Sequence, residues 1–328
     1  MTPPFLRYGS QSIDESDMAA VREVLESDFL TQGPAVERFE AALAERAGAK
    51  FAVAVNSGTA GLHIACLAAG MGPGSKGLSA AVTFVASVNC FKYTGAAAGL
   101  VDIDPVTLGM STAGLVNALD ADPSPDTVIP VHFAGLAGDS AGLRRAAGKR
   151  VLIEDACHAL GGEYEDGLPV GCGAHADMAV FSFHPVKPIT TAEGGAVVTN
   201  DAGLADRLRR FRNHGIERAP EHMTDPSFDP AAPAPWWYEQ QDLGFNYRMS
   251  DLHAALGFSQ LAKLDGFIAR RREIAAYYDS AFSGLDAVSV PQNAPELRRR
   301  SALHLYLVRI GWRAAETDRT SFMKALAD

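Results

Sequence analysis

The chain has 328 residues, of which 47% are hydrophobic and 21% charged, and carries a formal net charge of −10. This length suits a large domain plus a smaller one, and the acidic balance argues against non-specific binding to nucleic acid or to an anionic membrane. An anionic ligand remains compatible only where local donors, such as backbone N–H groups at helix starts, meet it.

In chain order, the opening residues Met1 to Arg7 lack a basic stretch followed by an apolar run, so no signal peptide is read there. Residues 51–55 form a short apolar run ending at a polar turn, and 60–69 read as the helix that follows. This most apolar region is interrupted by Asn56, Ser57, Thr59 and His63, which excludes a membrane span. Residues 99–103, 127–131, 150–154 and 178–182 repeat the strand pattern. Apolar strands separated by helices predict an α/β fold with a mostly parallel sheet covered on both faces, where ligands sit beyond the carboxyl ends of the strands. Residues 220–235, rich in Pro, Asp and Ala, read as a surface loop. Helices are expected over 250–263 and 268–282, a strand over 303–310, and a last helix over 317–327. Cys66, Cys90, Cys157 and Cys172 form no CxxC pair, so reduced thiols of a cytoplasmic protein without a metal site are expected.

The segment from Phe181 to Ala196 carries the strongest chemical signal. Lys187 has a proline two residues before it and another directly after, so its backbone is restricted. A lysine in an apolar, restrained loop after a strand is poised for a lowered pKa and for Schiff-base chemistry, whereas an isolated lysine reads as a solvated one. Asp155 and His158 follow another strand. A pyridoxal-phosphate (PLP) enzyme needs a carboxylate against its pyridine nitrogen, and Asp155 can supply it; a helix N-cap is the plainer role for such an aspartate. Gly58 and Thr59 lie where a strand turns into a helix, a place where N–H groups can meet a phosphate or Ser57 can act as an ordinary cap. The glycines at 70, 72 and 74 follow a helix, not a strand, so a dinucleotide fingerprint is rejected. Phe84 either stacks on a cofactor ring or fills the core.

These four elements, in this order, resemble the DegT/DnrJ/EryC1/StrS sugar aminotransferases of the aspartate-aminotransferase-like PLP superfamily. The resemblance runs from the Tyr8 to Ile13 motif through the Leu243 to Asp251 motif to about Ile310. It implies a PLP-binding large domain over 1–245 and a small α+β domain over 246–328 that is incomplete, because family members continue further. It implies that Lys187 bonds the cofactor and shuttles the proton, that Asp155 pairs with the ring nitrogen beside His158, and that Phe84 stacks on the ring. Gly58, Thr59 and Ser182 would hold the phosphate, joined by Asn246 from the other subunit of a homodimer. Tyr8 and Asp28, Phe29, Leu30 and Thr31, with Gly58 and Ser182, would contact a nucleotide sugar. Ser10 stands where the family's opening motif has arginine.

Within the family, the lysine segment is most similar to the pseudaminic-acid pathway transaminases. That implies a ping-pong transfer from glutamate to C4 of a UDP-linked 4-keto-6-deoxy-N-acetylhexosamine. Alternatives are another nucleotide sugar (a perosamine-type or 3-amino product) or a catalytically inactive PLP-fold protein. A sugar dehydratase on the same scaffold is disfavoured because the resemblance implies histidine at the lysine position there.

Overall fold

The computed structural model describes residues 9–229 and 234–327, so Tyr8 lies outside the described residues. The chain enters through helix α1 (Glu15–Leu25), started by Asp14: its carboxylate accepts from the N–H of Ser16 and Asp17, and the Asp17 carboxylate accepts the Asp14 N–H. Helix α2 (Pro34–Ala47) begins on a proline and ends at Gly48, whose φ of +69° only glycine adopts readily.

Strands β1 (Phe51–Val55), β2 (Lys76–Ala80), β3 (Ala97–Val101), β4 (Thr127–Ile129), β5 (Val151–Asp155), β6 (Met178–Ser182) and β7 (Gly195–Thr199) form one sheet in the order β1-β7-β6-β5-β4-β2-β3. The pairings β2–β3, β2–β4, β4–β5 and β5–β6 are parallel, whereas β7 runs antiparallel to both β1 and β6. Helices α3 (Gly58–Ala68), α4 (Ala86–Tyr93), α5 (Thr112–Ala121), α6 (Ser140–Ala147) and α7 (Ala202–Arg212) connect or follow these strands. The expected α/β architecture is therefore present. Strands β2 and β7 were not expected: β2 reads Lys-Gly-Leu-Ser-Ala, and β7 begins on a glycine behind a run of polar and small residues, so neither looks apolar enough alone.

Successive residues of the central strands point into two cores. Ala52, Ala54, Ala179, Phe181, Ala196 and Val198 face a cluster with Phe39, Leu43 and Ile268. Val53, Val55, Met178, Val180 and Val197 face one with Ile64, Phe91 and Phe211. Both faces are covered, which is why these strands read as continuous apolar runs.

Beyond the sheet, β8 (Ile216–Glu217) pairs with β9 (Glu239–Gln240), and helices α8 (Asp251–Leu261) and α9 (Leu264–Phe282) follow. Helix α8 packs on α1 and α2, so the first helix past residue 245 joins the layer covering the sheet. The chain continues through β10 (Val288–Ser289), α10 (Pro295–Arg300), β11 (Arg309–Ile310) and α11 (Arg319–Ala327). The strand expected over 303–310 forms only at Arg309–Ile310, which pairs with β10. Residues 302–305 instead hang on the turn after β4: Ala302 N–H donates to the Gly135 carbonyl and His304 N–H to that of Ala134.

Candidate functional site

The site forms where β1, β5 and β6 end. Because β7 runs against its neighbours, its first residue, Gly195, lies between Val55, the last of β1, and Ser182, the last of β6. The turn after β1 is thereby pressed onto Gly195: a Cβ there would sit 2.6 Å from the Gly58 nitrogen and from the Ser57 carbonyl carbon. Gly58 in turn has no room for a side chain, since its Cβ would lie 2.9 Å from Ser182 Cβ and 3.2 Å from Cys157 Sγ. Gly58, Ser182 and Cys157 are thus brought into one cluster.

Helix α3 starts at this point. Ser57 Oγ accepts from Ala60 N–H at 3.1 Å and the Ser57 carbonyl from Gly61 N–H at 3.0 Å. Among the described residues, the N–H groups of Gly58 and Thr59 find no acceptor. Two free donors at a helix start, backed by glycine, are a site for an anion such as a phosphate.

Asp155 closes β5 and is 5% exposed. Its carboxylate accepts from Ser87 Oγ at 2.5 Å and from Cys157 N–H at 3.2 Å, while its backbone is fixed between Pro130 and His132. Ser87 lies in the first turn of α4, and its hydroxyl is 2.6 Å from Thr83 Oγ1. Phe84 lies just before this helix, its carbonyl accepting from Ser87 N–H at 3.2 Å, and is 69% exposed, which rules out the core alternative.

Lys187 is half-buried in the loop after β6, its N–H bonded to the His184 carbonyl at 2.8 Å. Burial lowers its pKa, with the Cys157 thiol and Asp155 acting in the opposite direction, so the amine and the acid lie within electrostatic reach of each other. Burial that penalises the charged form makes a lysine a better nucleophile. His158 Nδ1 accepts from the Ala134 N–H at 3.3 Å, which leaves the proton of a neutral ring on Nε2. Burial, and then the Lys187 charge, bring the His158 pKa down to about 4.

Sequence reasoning missed four neighbours. The His304 ring lies against His158, tilted by 36° with centroids 4.2 Å apart, and burial followed by the nearby His158, Lys187 and Arg271 pushes its pKa down to about 2. Arg271, on α9, extends Nη2 to within 3.5 Å of the Lys187 carbonyl. Ser87 and Cys157 complete the set. None carries a local signal, because each is an ordinary residue of a helix or apolar segment until the fold brings it to Lys187.

Of the remaining expected residues, Asn246 lies against the turn after β1 that leads to Gly58, and residues 28–31 lie on the segment before α2. Asp28, Phe29, Leu30 and Thr31 are exposed, held where Asp251 N–H donates to the Leu30 carbonyl at 3.1 Å and Thr31 bridges to Ser250. Asn246 is exposed, bridges to Asn213, and receives Asn56 Nδ2 on its carbonyl at 3.4 Å. Among the described residues no group of three His, Cys, Asp or Glu side chains could hold a metal, and no helix is long and apolar enough to cross a membrane. All four cysteines are unpaired.

The donor set fits the cofactor expected above. It offers a partly dehydrated lysine, a carboxylate at a strand end, free helix N–H groups for a phosphate and an exposed aromatic ring at one edge. Lys187 would bond PLP, Asp155 would face its ring nitrogen, and Gly58, Thr59 and Ser182 would take its phosphate.

Comparison with known proteins gives a consistent result. The model of the DegT/DnrJ/EryC1/StrS aminotransferase family matches residues 11–328. The spore coat polysaccharide biosynthesis protein SpsC of Bacillus subtilis is 36% identical over 326 residues, which are 99% of this chain and 80% of SpsC. Helicobacter pylori PseC, an aminotransferase involved in the biosynthesis of pseudoaminic acid, superposes with a TM-score of 0.83 at 28% identity, covering 98% of this chain and 83% of PseC. The sugar aminotransferase CalS13 of Micromonospora echinospora gives a TM-score of 0.82 at 31% identity, over 98% of this chain and 83% of CalS13.

Proposed function

Since the chain belongs to the DegT/DnrJ/EryC1/StrS aminotransferase family and is a PLP-dependent sugar aminotransferase, we propose that it moves the amino group of glutamate onto C4 of a UDP-linked 4-keto-6-deoxy-N-acetylhexosamine. The observation that carries this reading is the Lys187–Asp155 pair between the start of α3 and the Ser87 turn. The similarity to PseC supports the choice of sugar.

When bound, PLP supplies the electron sink that lets a proton leave and return at carbon. The chain supplies position and proton transfer. Asp155, held as an acceptor by Ser87 and Cys157 N–H, would face the ring nitrogen of bound PLP and favour its protonation. Lys187 Nζ takes the proton from the donor's α-carbon and delivers one to the sugar carbon, and its burial, which lowers its pKa, favours that exchange. His158, kept neutral, offers its Nε2 proton without adding a second charge beside Lys187. Gly58 and Thr59 N–H groups and Ser182 orient the cofactor through its phosphate, with Asn246 of a second subunit closing that site in a homodimer. Asp28, Phe29, Leu30, Thr31 and Tyr8 serve the nucleotide sugar. The large domain extends past residue 245 to include α8, which packs on α1 and α2, and the small domain follows it.

A second reading, amination of a different nucleotide sugar, is favoured by the higher identity to CalS13 (31%) than to PseC (28%). Incubation with glutamate and a panel of nucleotide keto sugars, followed by NMR of the product, separates the two. A 4-amino-N-acetylhexosamine product supports the first reading; exclusive turnover of a 3-keto sugar or of one without the acetamido group replaces it with the second.

A further inference from the structure

We propose that Arg271 anchors a carboxylate of the amino donor, a dicarboxylic amino acid, in the cavity beside Lys187; this rests on the transaminase reading above. Arg271 sits on α9 with Nη2 3.5 Å from the Lys187 carbonyl, at the limit of a hydrogen bond, and with Nη1 buried and without a partner among the described residues. Several other half-buried arginines of this chain have an acceptor within 3.0 Å: Arg144 meets Asp177 at 2.9 Å, Arg212 meets Glu40 at 2.5 Å, Arg298 meets Asp279 at 2.9 Å, Arg150 meets the Pro125 carbonyl at 2.9 Å and Arg207 the Leu67 carbonyl at 3.0 Å. Leaving a guanidinium dehydrated and unmatched is costly unless a ligand supplies the anion.

The surroundings point to the same ligand class. The groups close to Arg271 are His304 and Lys187, and the one carboxylate of the cluster, Asp155, is already occupied by Ser87 and Cys157 N–H. Burial lowers the Arg271 pKa with no acidic neighbour to offset it. A cavity of about 240 Å³ lies against the Lys187 loop, lined by Ser10, Gln11, Lys187, Thr190, Arg270 and Arg271 among others; of the cluster it shares Lys187 and Arg271, and no acidic side chain lines it. That volume lies below the ~300–1,000 Å³ of pockets that take larger organic ligands, so it suits an amino acid better than a nucleotide sugar. A planar guanidinium fork matches a carboxylate with two parallel hydrogen bonds. The local positive charge also answers how a chain of net charge −10 receives a donor with two carboxylates.

The test compares wild-type holoenzyme with Arg271→Met and Arg271→Lys in each half-reaction, together with calorimetric binding of 2-oxoglutarate to the purified proteins. Arg271→Met should weaken 2-oxoglutarate binding and raise the glutamate KM by about 10- to 100-fold, with Arg271→Lys in between. The sugar half-reaction should stay within about threefold of wild type, the scatter expected of a group that does not bind the sugar. Unchanged glutamate affinity in both variants, or a loss confined to the nucleotide sugar, overturns the assignment while leaving the transaminase reading intact. A wild-type protein that loses no cofactor colour with glutamate overturns the donor reading itself, and this subsite with it.

Discussion

Gly195 is where the geometry makes the sharpest demand. In Gly195→Ala the new Cβ would lie 2.6 Å from the Gly58 nitrogen and the Ser57 carbonyl carbon, and 2.7 Å from the Ser57 oxygen. All three are backbone atoms, so no side chain can swing aside. To restore ordinary contact at 3.4 Å the start of α3 must retreat by roughly 0.8 Å, and overpacking of this kind costs about 1–3 kcal/mol. The same retreat moves the free Gly58 and Thr59 N–H groups off the phosphate position. Losing one charge-assisted hydrogen bond of about 1.5–3 kcal/mol weakens PLP binding about 10- to 100-fold. The assay is a PLP titration of the cofactor-free protein followed by absorbance, alongside thermal melts with and without PLP. Gly72→Ala is the control, because a Cβ there meets nothing within 4 Å and the backbone lies outside the left-handed region. The reasoning is refuted if Gly195→Ala binds PLP within about twofold of wild type, a margin close to the scatter of such measurements, or if Gly72→Ala loses as much.

Three further outcomes are expected. Lys187→Ala should abolish multiple turnover while the melting temperature of the cofactor-free protein does not fall, since a partly buried amine is removed; sustained turnover would exclude Lys187 as the reacting amine. Ser87→Ala leaves Asp155 without its hydroxyl donor and should cost about 1–3 kcal/mol in urea unfolding, more than Thr83→Ala, whose hydroxyl reaches only Ser87 and a backbone carbonyl. His158 and His304 protonate only near about 4 and about 2 in the fold, but near 6.5 when unfolded. Between pH 6.5 and 4 the unfolded chain therefore binds more protons, and stability must fall as pH falls. Melting of the cofactor-free protein at stepped pH should show this decline, and His304→Gln should flatten it; a level wild-type profile would contradict the buried, neutral state of both rings.

Much of this protein is set by local pattern. Strands that are apolar on both faces announced a mostly parallel sheet, because each successive residue must enter one of two covered cores. Lys187, Asp155, His158, Gly58 and Ser182 were legible because each sits at a strand end or in the turn that follows, where α/β sheets place ligands. Local pattern did not reveal β7, whose small residues become a strand only between β1 and β6, nor the unpaired course of residues 302–305. It was equally silent on Ser87, Cys157, His304 and Arg271, since a hydroxyl in a helix and a histidine in an apolar run acquire meaning only from what they face. The antiparallel turn of β7 set the distance from Gly195 to the start of α3, and the turn at Ala134 and Gly135 brought His304 onto His158. Residue type and period are local properties, whereas the charge balance around Lys187 depends on burial and on contacts between segments more than a hundred residues apart. Tertiary structure alone decides those.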